Sequence, residues 1–300
     1  SGYAAYRYVE AATILALRGE ISGLVTLPMN KEATRLSFGT FTGHTELIAE
    51  LCGETNYTMM LVSEKLTVTH VSTHCSMAEA VAAVKKERIA DVIRLTHKAL
   101  KGFIENPKIA VAGLNPHAGE NGSFGMEEIL EIRPAIEMAR GEGIHAEGPF
   151  APDTVFLKAC GKEYDAVVCM YHDQGHIPLK LLDFEGGVNV TLGLRVLRTS
   201  VDHGTAFDIA YKGIASTRSL VEAFNFAEKI CAGAETRENH SDGKDSDGLF
   251  KFEKAGRKEI LEETLENLCG CLDGTRLSDM DADEERYEGI ARKHGEGNLS

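Results

Sequence analysis

One pattern constrains the fold of this chain more than any other. Short apolar runs recur, and each gives way to a polar loop and then to a stretch with helical spacing. "KIAVAGL" leads into "NPHAGENGSFG" and then "MEEILEIRPAIEMARG", and "YDAVVCM" leads into "HDQGHIPLK". A run that is apolar at nearly every position belongs to a strand buried on both faces. Such strands form largely parallel sheets with helices on each side. The predicted class is therefore α/β.

The remaining segments fit the same succession. Residues 3–18 carry Ala5, Val9, Ala12 and Ala16 at helical spacing, and Gly19 ends them. "SGLVTLP" reads as a short buried strand, and Asn30 as the cap of a helix opened by "NKEATRL". "YTMMLVSEKLTVTHVS" holds one or two β segments. "SMAEAVAAVKKERIADVIRLTHKALKGFI" is a long helical pattern that breaks near Lys86, with Ser76 and Glu79 spaced as a capping box. The Glu residues of "MEEILEIRPAIEMARG" are expected to face water. "HDQGHIPLK" is expected to be an exit loop running into a proline, "GGVNVTLGLRVLRTS" to be strand-like, and "GTAFDIAY" to open another helix.

Charge narrows the function. With 46 acidic against 32 basic side chains the net charge is -14, which leaves no broad phosphate-facing surface for nucleic acid. Two or three cations still suffice for a small phosphorylated ligand. The seven cysteines are dispersed without a CxxC pair, the pattern of a reducing compartment. No apolar run has transmembrane length, so no membrane partner is expected and a cytoplasmic location is. From Glu235 the composition shifts, and residues 235–300 carry more than half of the net charge. Residues 1–234 are read as the α/β region. Residues 235–300 are read as an acidic appendage: a linker "ENHSDGKDSDG", one amphipathic helix in "GRKEILEETLENLCGCL", and a solvated "DMDADEERYEG".

Ligand sites of α/β sheets lie beyond the carboxyl ends of strands. Three loops carry a histidine there: His74 in "THVSTH", His117 in "GLNPH" and His172 in "CMYH". Each could be an ordinary loop histidine, but three neutral imidazoles would also hold a divalent metal and leave room for a substrate oxygen. Asp173 could orient His172, and Asp153 is a further loop carboxylate. Lys180 and Arg198 are the cations nearest these loops. Helix starts at Gly43–Thr45 and Gly204–Thr205 offer backbone donors to an anion. No GxGxxG follows a strand, and GxxxxGK[ST], HExxH and GxSxG are absent. The residues thus indicate a soluble α/β enzyme, metal-assisted, acting on a small anion.

Seven motifs in order, "VTLPMNK", "TGHTE", "GLNPHAGENG", "GPFAPDTVF", "MYHDQGHIPLK", "GVNVTLGL" and "RTSVDHGTAFDIA", together resemble the 4-hydroxythreonine-4-phosphate dehydrogenase (PdxA) family, from about Ser1 to Ile230. The resemblance implies a fold like that of isocitrate and isopropylmalate dehydrogenases, an α/β/α sandwich of two subdomains with a cleft. It implies NAD-dependent, metal-assisted oxidation of the C3 hydroxyl of a 4-phosphorylated four-carbon acid, followed by decarboxylation, in a homodimer with shared active sites. Matched motif to motif, His74, His117 and His172 would hold the metal (zinc, manganese, cobalt or magnesium), part of the set coming from the partner subunit. His44 and Thr45 would contact the substrate and its phosphate. Lys180, Asn189 and Arg198 would hold substrate oxygens, and Asp153 would lie near the metal. His203, Gly204, Thr205 and Asp208 would bind NAD. Lys180 or a histidine-linked water would take the hydroxyl proton, with His172 and Asp153 beside it.

The wording His176-Ile177-Pro178 resembles the branch using D-threonate or D-erythronate 4-phosphate, with 4-phosphohydroxy-L-threonine of pyridoxal phosphate biosynthesis as the alternative substrate. A histidine near C2 suits a hydroxyl better than an ammonium. Some features depart from the pattern. The family's amino-terminal part, with its first strand and glycine-rich loop, is read as missing ahead of Ser1, Arg195 replaces a usual proline, and Tyr211 replaces a usual glycine. A truncated, catalytically silent homologue serving as a binding or structural subunit is the reading these departures favour.

Overall fold

A computed structural model of the chain describes residues 1–238. Ser1–Ala210 and the described residues from Ile214 onward form one compact unit; Tyr211–Gly213 fall outside it. The linker, helix and aspartate-rich segment expected after residue 238 lie outside the described residues.

Eight strands form one sheet: β1 (Leu24–Thr26), β2 (Thr58–Val62), β3 (Thr67–His70), β4 (Lys108–Ala112), β5 (His145–Phe150), β6 (Ala166–Cys169), β7 (Val188–Leu192) and β8 (Arg198–Val201), in the order β1-β8-β7-β2-β3-β6-β4-β5. The half β3-β6-β4-β5 is parallel throughout, as the continuous apolar runs predict. The other half is mixed, because β2 pairs antiparallel with both β3 and β7, and β7 with β8. Short hairpin connections set the β2–β3 and β7–β8 pairs, whereas β2 and β7 meet from distant parts of the chain. Ser63 closes the β2–β3 turn through its hydroxyl, which accepts from the Leu66 amide at 3.2 Å. Gly193, at φ +90, carries the chain from β7 towards β8 where a Cβ would lie 2.3 Å from the Asn56 carbonyl oxygen.

Alternate residues of the parallel strands feed two cores. Ile109, Val111, Ala166 and Val168 pack with α5 (Lys86–Leu100) and α6 (Arg133–Gly141). Ala110, Ala112, Val167 and Cys169 pack with α7 (Val155–Cys160) and with Leu179 of α8 (His172–Leu182). At the mixed end Leu24 packs with α1 (Gly2–Leu17) and α3 (His44–Cys52), whereas Val25 packs with α9 (Arg218–Glu238). Burying strands on both faces at roughly 25 cal/mol per Å² is what holds such a layered fold together.

The local signals are realised at several points. Asn30 caps α2 (Lys31–Arg35), its Oδ1 accepting from the Ala33 amide at 2.8 Å. Ser76 and Glu79 form the capping box of α4 (Met77–Ala82), and the long helical pattern breaks before Lys86.

Three expectations are corrected. "HDQGHIPLK" is not a loop: it is most of α8, with Pro178 inside the helix. Packing of its first turn onto β3 and β6 outweighs the hydrogen bond that the proline removes. "GTAFDIAY" opens no α-helix, only a single 3-10 turn at Phe207–Ile209, so Gly204–Thr205 is not a helix N-terminus. Glu128 does not face water; it is buried at the start of a π-helical turn, Glu128–Ile132.

Candidate functional site: an anion cleft beside stacked imidazoles

Strands β3, β6 and β4 are parallel neighbours, so the three histidine loops leave one edge of the sheet together. His172 is the first residue of α8 and follows β6 almost directly. Its ring centroid lies 5.8 Å from that of His74. The Nδ1 of His172 donates to Asp173 Oδ1 at 2.7 Å, which leaves Nε2 with its lone pair for a ligand.

Two further imidazoles extend the group. His176 stacks on His172 with centroids 3.5 Å apart and 11° between planes, and its Nδ1 donates to the His172 carbonyl at 3.0 Å. His70, at the end of β3, lies 4.8 Å from His176, wholly buried; its Nδ1 donates to the Met59 carbonyl at 3.3 Å and its Nε2 has no partner. Burial first, then the neighbouring histidines, lowers His70 to about 3 and His176 to about 4, so both rings are neutral near pH 7. Gly175 makes this stacking possible: a Cβ there would sit 2.6 Å from His70 Nε2 and 3.0 Å from Cys169 Sγ.

A cleft of roughly 770 Å³ opens beside the rings. At one end Arg198 is buried, 4% exposed, with no salt bridge among the described residues, although Glu46 lines the same cleft and favours its charged form. Its guanidinium donates only to hydroxyls: to Thr26 Oγ1 from Nε at 3.1 Å and Nη2 at 2.8 Å, and from Nη1 to Thr191 at 3.0 Å and Thr45 at 3.4 Å. Burial lowers its pKa to about 10, which still leaves it charged near neutrality. Above it α3 begins at Gly43 with no side-chain hydrogen bond at its cap, and the Glu46 carboxylate shares that first turn, its Oε2 2.6 Å from where a Gly43 Cβ would lie. His44, on that turn, is pushed down to about 4 by burial and by Arg198 and Lys31. A buried cation, a helix start and a neutral ring are donor groups of the kind that anion sites use.

Lys180 reaches the same cleft from α8, its Nζ 3.1 Å from Asp202 Oδ2. Asn189 of β7 lines it, with Oδ1 buried and unpartnered. The structure therefore brings together His44, Thr45, His74, His172, Lys180, Asn189 and Arg198, with His203 and Gly204 at the lining as well. Thr205 and Asp208 are exposed on the loop beyond. Asp153 is exposed before α7 and is not part of the cleft lining.

His117 is also absent from the lining. It begins a run of five left-handed residues, His117–Asn121, with φ of 52, 51, 78, 41 and 55°. Each non-glycine residue there costs about 1–2 kcal/mol, so tertiary contacts hold the turn. His117 and Asp153 follow β4 and β5, the outer strands of the parallel half. Tyr211, in the position where a glycine is usual, keeps the left-handed φ of +59°.

Sequence reasoning missed Lys31, Asp202 and His70 as neighbours of the site. Asp202 does stand directly after a strand, beside His203, but that strand reads Arg-Thr-Ser-Val and lacks the apolar run that precedes His172. His70 sits inside a strand run and gives no signal at all. The donor chemistry suits a divalent ion in part: His74 and His172 are two imidazoles, one backed by a carboxylate. Among the described residues no three His, Cys, Asp or Glu side chains are placed to hold one metal ion together.

Fold and site together define an α/β protein with a cleft that sets a buried arginine and a lysine beside a pair of imidazoles. Residues 1–227 match the family described as pyridoxal phosphate biosynthetic protein PdxA, and the chain belongs to that family. It is 50% identical over 232 residues to D-threonate 4-phosphate dehydrogenase of Salmonella typhimurium, covering 77% of this chain and 71% of that protein. It is also 50% identical over 231 residues to 4-hydroxythreonine-4-phosphate dehydrogenase of Geobacter metallireducens, covering 77% and 68%. The crystal structure of 4-hydroxythreonine-4-phosphate dehydrogenase from Klebsiella pneumoniae superposes with a TM-score of 0.71 at 48% identity, over 77% of this chain and 71% of that one. Among the described residues no helix is long and apolar enough to cross a membrane.

Proposed function

We propose that this chain is an NAD-dependent, divalent-metal-assisted dehydrogenase that oxidises the C3 hydroxyl of a 4-phosphorylated four-carbon acid, whose β-keto product loses carbon dioxide. The observation that carries this is the buried Arg198, which has no salt bridge among the described residues, beneath the start of α3 and in one cleft with His74, His172 and Lys180. Arg198, Thr45, His44 and the first-turn amides hold the phosphate. That remote binding energy fixes where C3 lies. Lys180 and Asn189 hold carboxylate or hydroxyl oxygens at the other end.

A divalent ion held by His74 and His172 supplies Lewis-acid stabilisation of the charge that grows on the C3 oxygen. Zinc, manganese and cobalt suit imidazole ligands better than magnesium does. His117 and Asp153 serve the cleft of a second copy in a homodimer with shared sites, which accounts for their place on the outer loops. NAD, the hydride acceptor, is held by His203, Gly204, Thr205 and Asp208. Oxidation removes a hydride from C3 and a proton from its oxygen. Lys180, or a water on one of the histidines, takes that proton.

D-threonate or D-erythronate 4-phosphate is the preferred substrate. His176 donates through Nδ1 to a backbone carbonyl, so its Nε2 offers a lone pair to a donor at C2. A hydroxyl satisfies it without penalty, whereas an ammonium would bring a second positive charge beside Lys180. The relative from Geobacter keeps 4-phosphohydroxy-L-threonine as the alternative substrate. Steady-state NAD reduction with each of the three phosphorylated acids, in Mn2+, Co2+, Zn2+ and Mg2+, tests the proposal. The highest kcat/KM should fall on a 2-hydroxy acid. No turnover with any of the three at saturating metal and NAD would overturn the assignment and favour a silent homologue.

A further inference from the structure

Glu128 is a buried carboxylate, 1% exposed, with no cation paired to it among the described residues. Everything it binds belongs to the loop that carries His117. Its Oε1 accepts from the Leu114 amide at 2.8 Å and the Asn115 amide at 2.7 Å, and its Oε2 accepts from Asn115 Nδ2 at 3.0 Å. The second hydrogen of that side-chain amide goes to Glu127 Oε2 at 2.7 Å. Two loop glycines close on the same carboxylate: a Cβ at Gly119 would lie 2.6 Å from Oε2, and one at Gly113 would lie 3.1 Å from Oε1. Glu128 also begins the π-helical turn Glu128–Ile132, an irregularity that recurs at functional sites.

The left-handed run starts two residues after Asn115. Bonds at its two ends tie it to its neighbours: Ala118 N to Asn115 O at 3.1 Å, Ser123 N to Glu120 O at 3.2 Å and Phe124 N to Gly119 O at 3.2 Å. Four of its five residues are not glycine, so the conformation is imposed from outside. Glu128 is the group placed to impose it, because it fixes both backbone amides that lead into the run and the side chain of Asn115.

We propose that Glu128 is a positioning residue for His117: it holds the left-handed turn so that the His117 ring is presented in one orientation to a metal ion. This rests on the reading of His117 as a metal ligand. Glu128 touches neither substrate nor metal and acts only through that ring.

The test is Co2+ titration calorimetry on the full chain without substrate or NAD, with urea unfolding as a folding control. Glu128→Ala should lower Co2+ affinity roughly 10- to 100-fold, the range usual when an outer partner of a ligand is lost. Glu128→Gln keeps an oxygen for the two backbone amides but turns a donor towards Asn115, and should lose less. His117→Ala should lose at least as much as Glu128→Ala, and the double variant no more than His117→Ala alone. Wild-type affinity in Glu128→Ala with weakened binding in His117→Ala overturns the role of Glu128 and leaves the ligand reading intact. Wild-type affinity in His117→Ala overturns the ligand reading and this inference with it. Additive losses in the double variant mean that Glu128 acts elsewhere, which also overturns it. Should Glu128→Ala fail to fold, Glu128→Gln in the same cycle decides by the same criteria.

Discussion

Replacing Arg198 by methionine separates ligand binding from stability. The guanidinium makes four hydrogen bonds to hydroxyls between 2.8 and 3.4 Å and forms no salt bridge among the described residues. Burying such an ion costs several kcal/mol, which bonds to neutral oxygens offset only partly; apolar replacements of buried charges are often neutral or stabilising by about 1–4 kcal/mol. Three threonine hydroxyls lose a donor, and each costs about 1 kcal/mol unless it finds another partner. The two effects nearly cancel. Arg198→Met should therefore unfold in urea within about 2 kcal/mol of wild type when no ligand is present. The same change removes the buried cation that meets the phosphate, a loss of about 2–5 kcal/mol, or roughly 30- to 5,000-fold in Kd. Titration calorimetry with D-erythronate 4-phosphate measures the second figure. Unaltered affinity, or a ligand-free protein destabilised by more than about 4 kcal/mol, would show that Arg198 is structural and that the phosphate lies elsewhere.

Other perturbations test neighbouring parts of the site. His176→Leu should lower kcat/KM for the 2-hydroxy acids about five- to ten-fold, the worth of one neutral hydrogen bond, and change 4-phosphohydroxy-L-threonine less; equal losses on all three would remove His176 from C2 recognition. His44, His70 and His176 have folded pKa values of about 4, 3 and 4, below the ordinary histidine value. The unfolded chain therefore binds more protons from pH 6.5 downward, and stability falls with pH by up to about 1.4 kcal/mol per unit for each ring that stays buried. Urea unfolding at pH 6.5 and pH 5 reads this, and equal stabilities would contradict it. Gly175→Ala places a methyl 2.6 Å from His70 Nε2, and should lower stability by about 1–3 kcal/mol while disturbing His172 and His176; an unchanged Tm would mean that the stack is loose.

Much was legible along the chain because it depends on local pattern. The apolar runs gave β4 and β6, Asn30 and the Ser76–Glu79 pair marked helix starts, and each histidine at a strand exit pointed to one sheet edge. What failed did so for a shared reason. Pro178 and the polar crowding of "HDQGHIPLK" argued for a loop, but contacts of Gly175 and Leu179 with the sheet made it a helix. Glu128 looked like any solvated helical glutamate, since its three bonds are to residues on the far side of a loop. His70 carried no mark within its strand.

The sequence by itself determined the layered α/β class, the family, and which residue types are available for chemistry, because these follow from periodicity, turn residues and motif order. Only the tertiary structure decided that the sheet is mixed, that Arg198 is buried with hydroxyls as its hydrogen-bond partners, and that His74 and His172 meet while His117 does not join them. Those outcomes depend on strand order and on which side chains exclude water from one another, and neither quantity is local to any stretch of the chain.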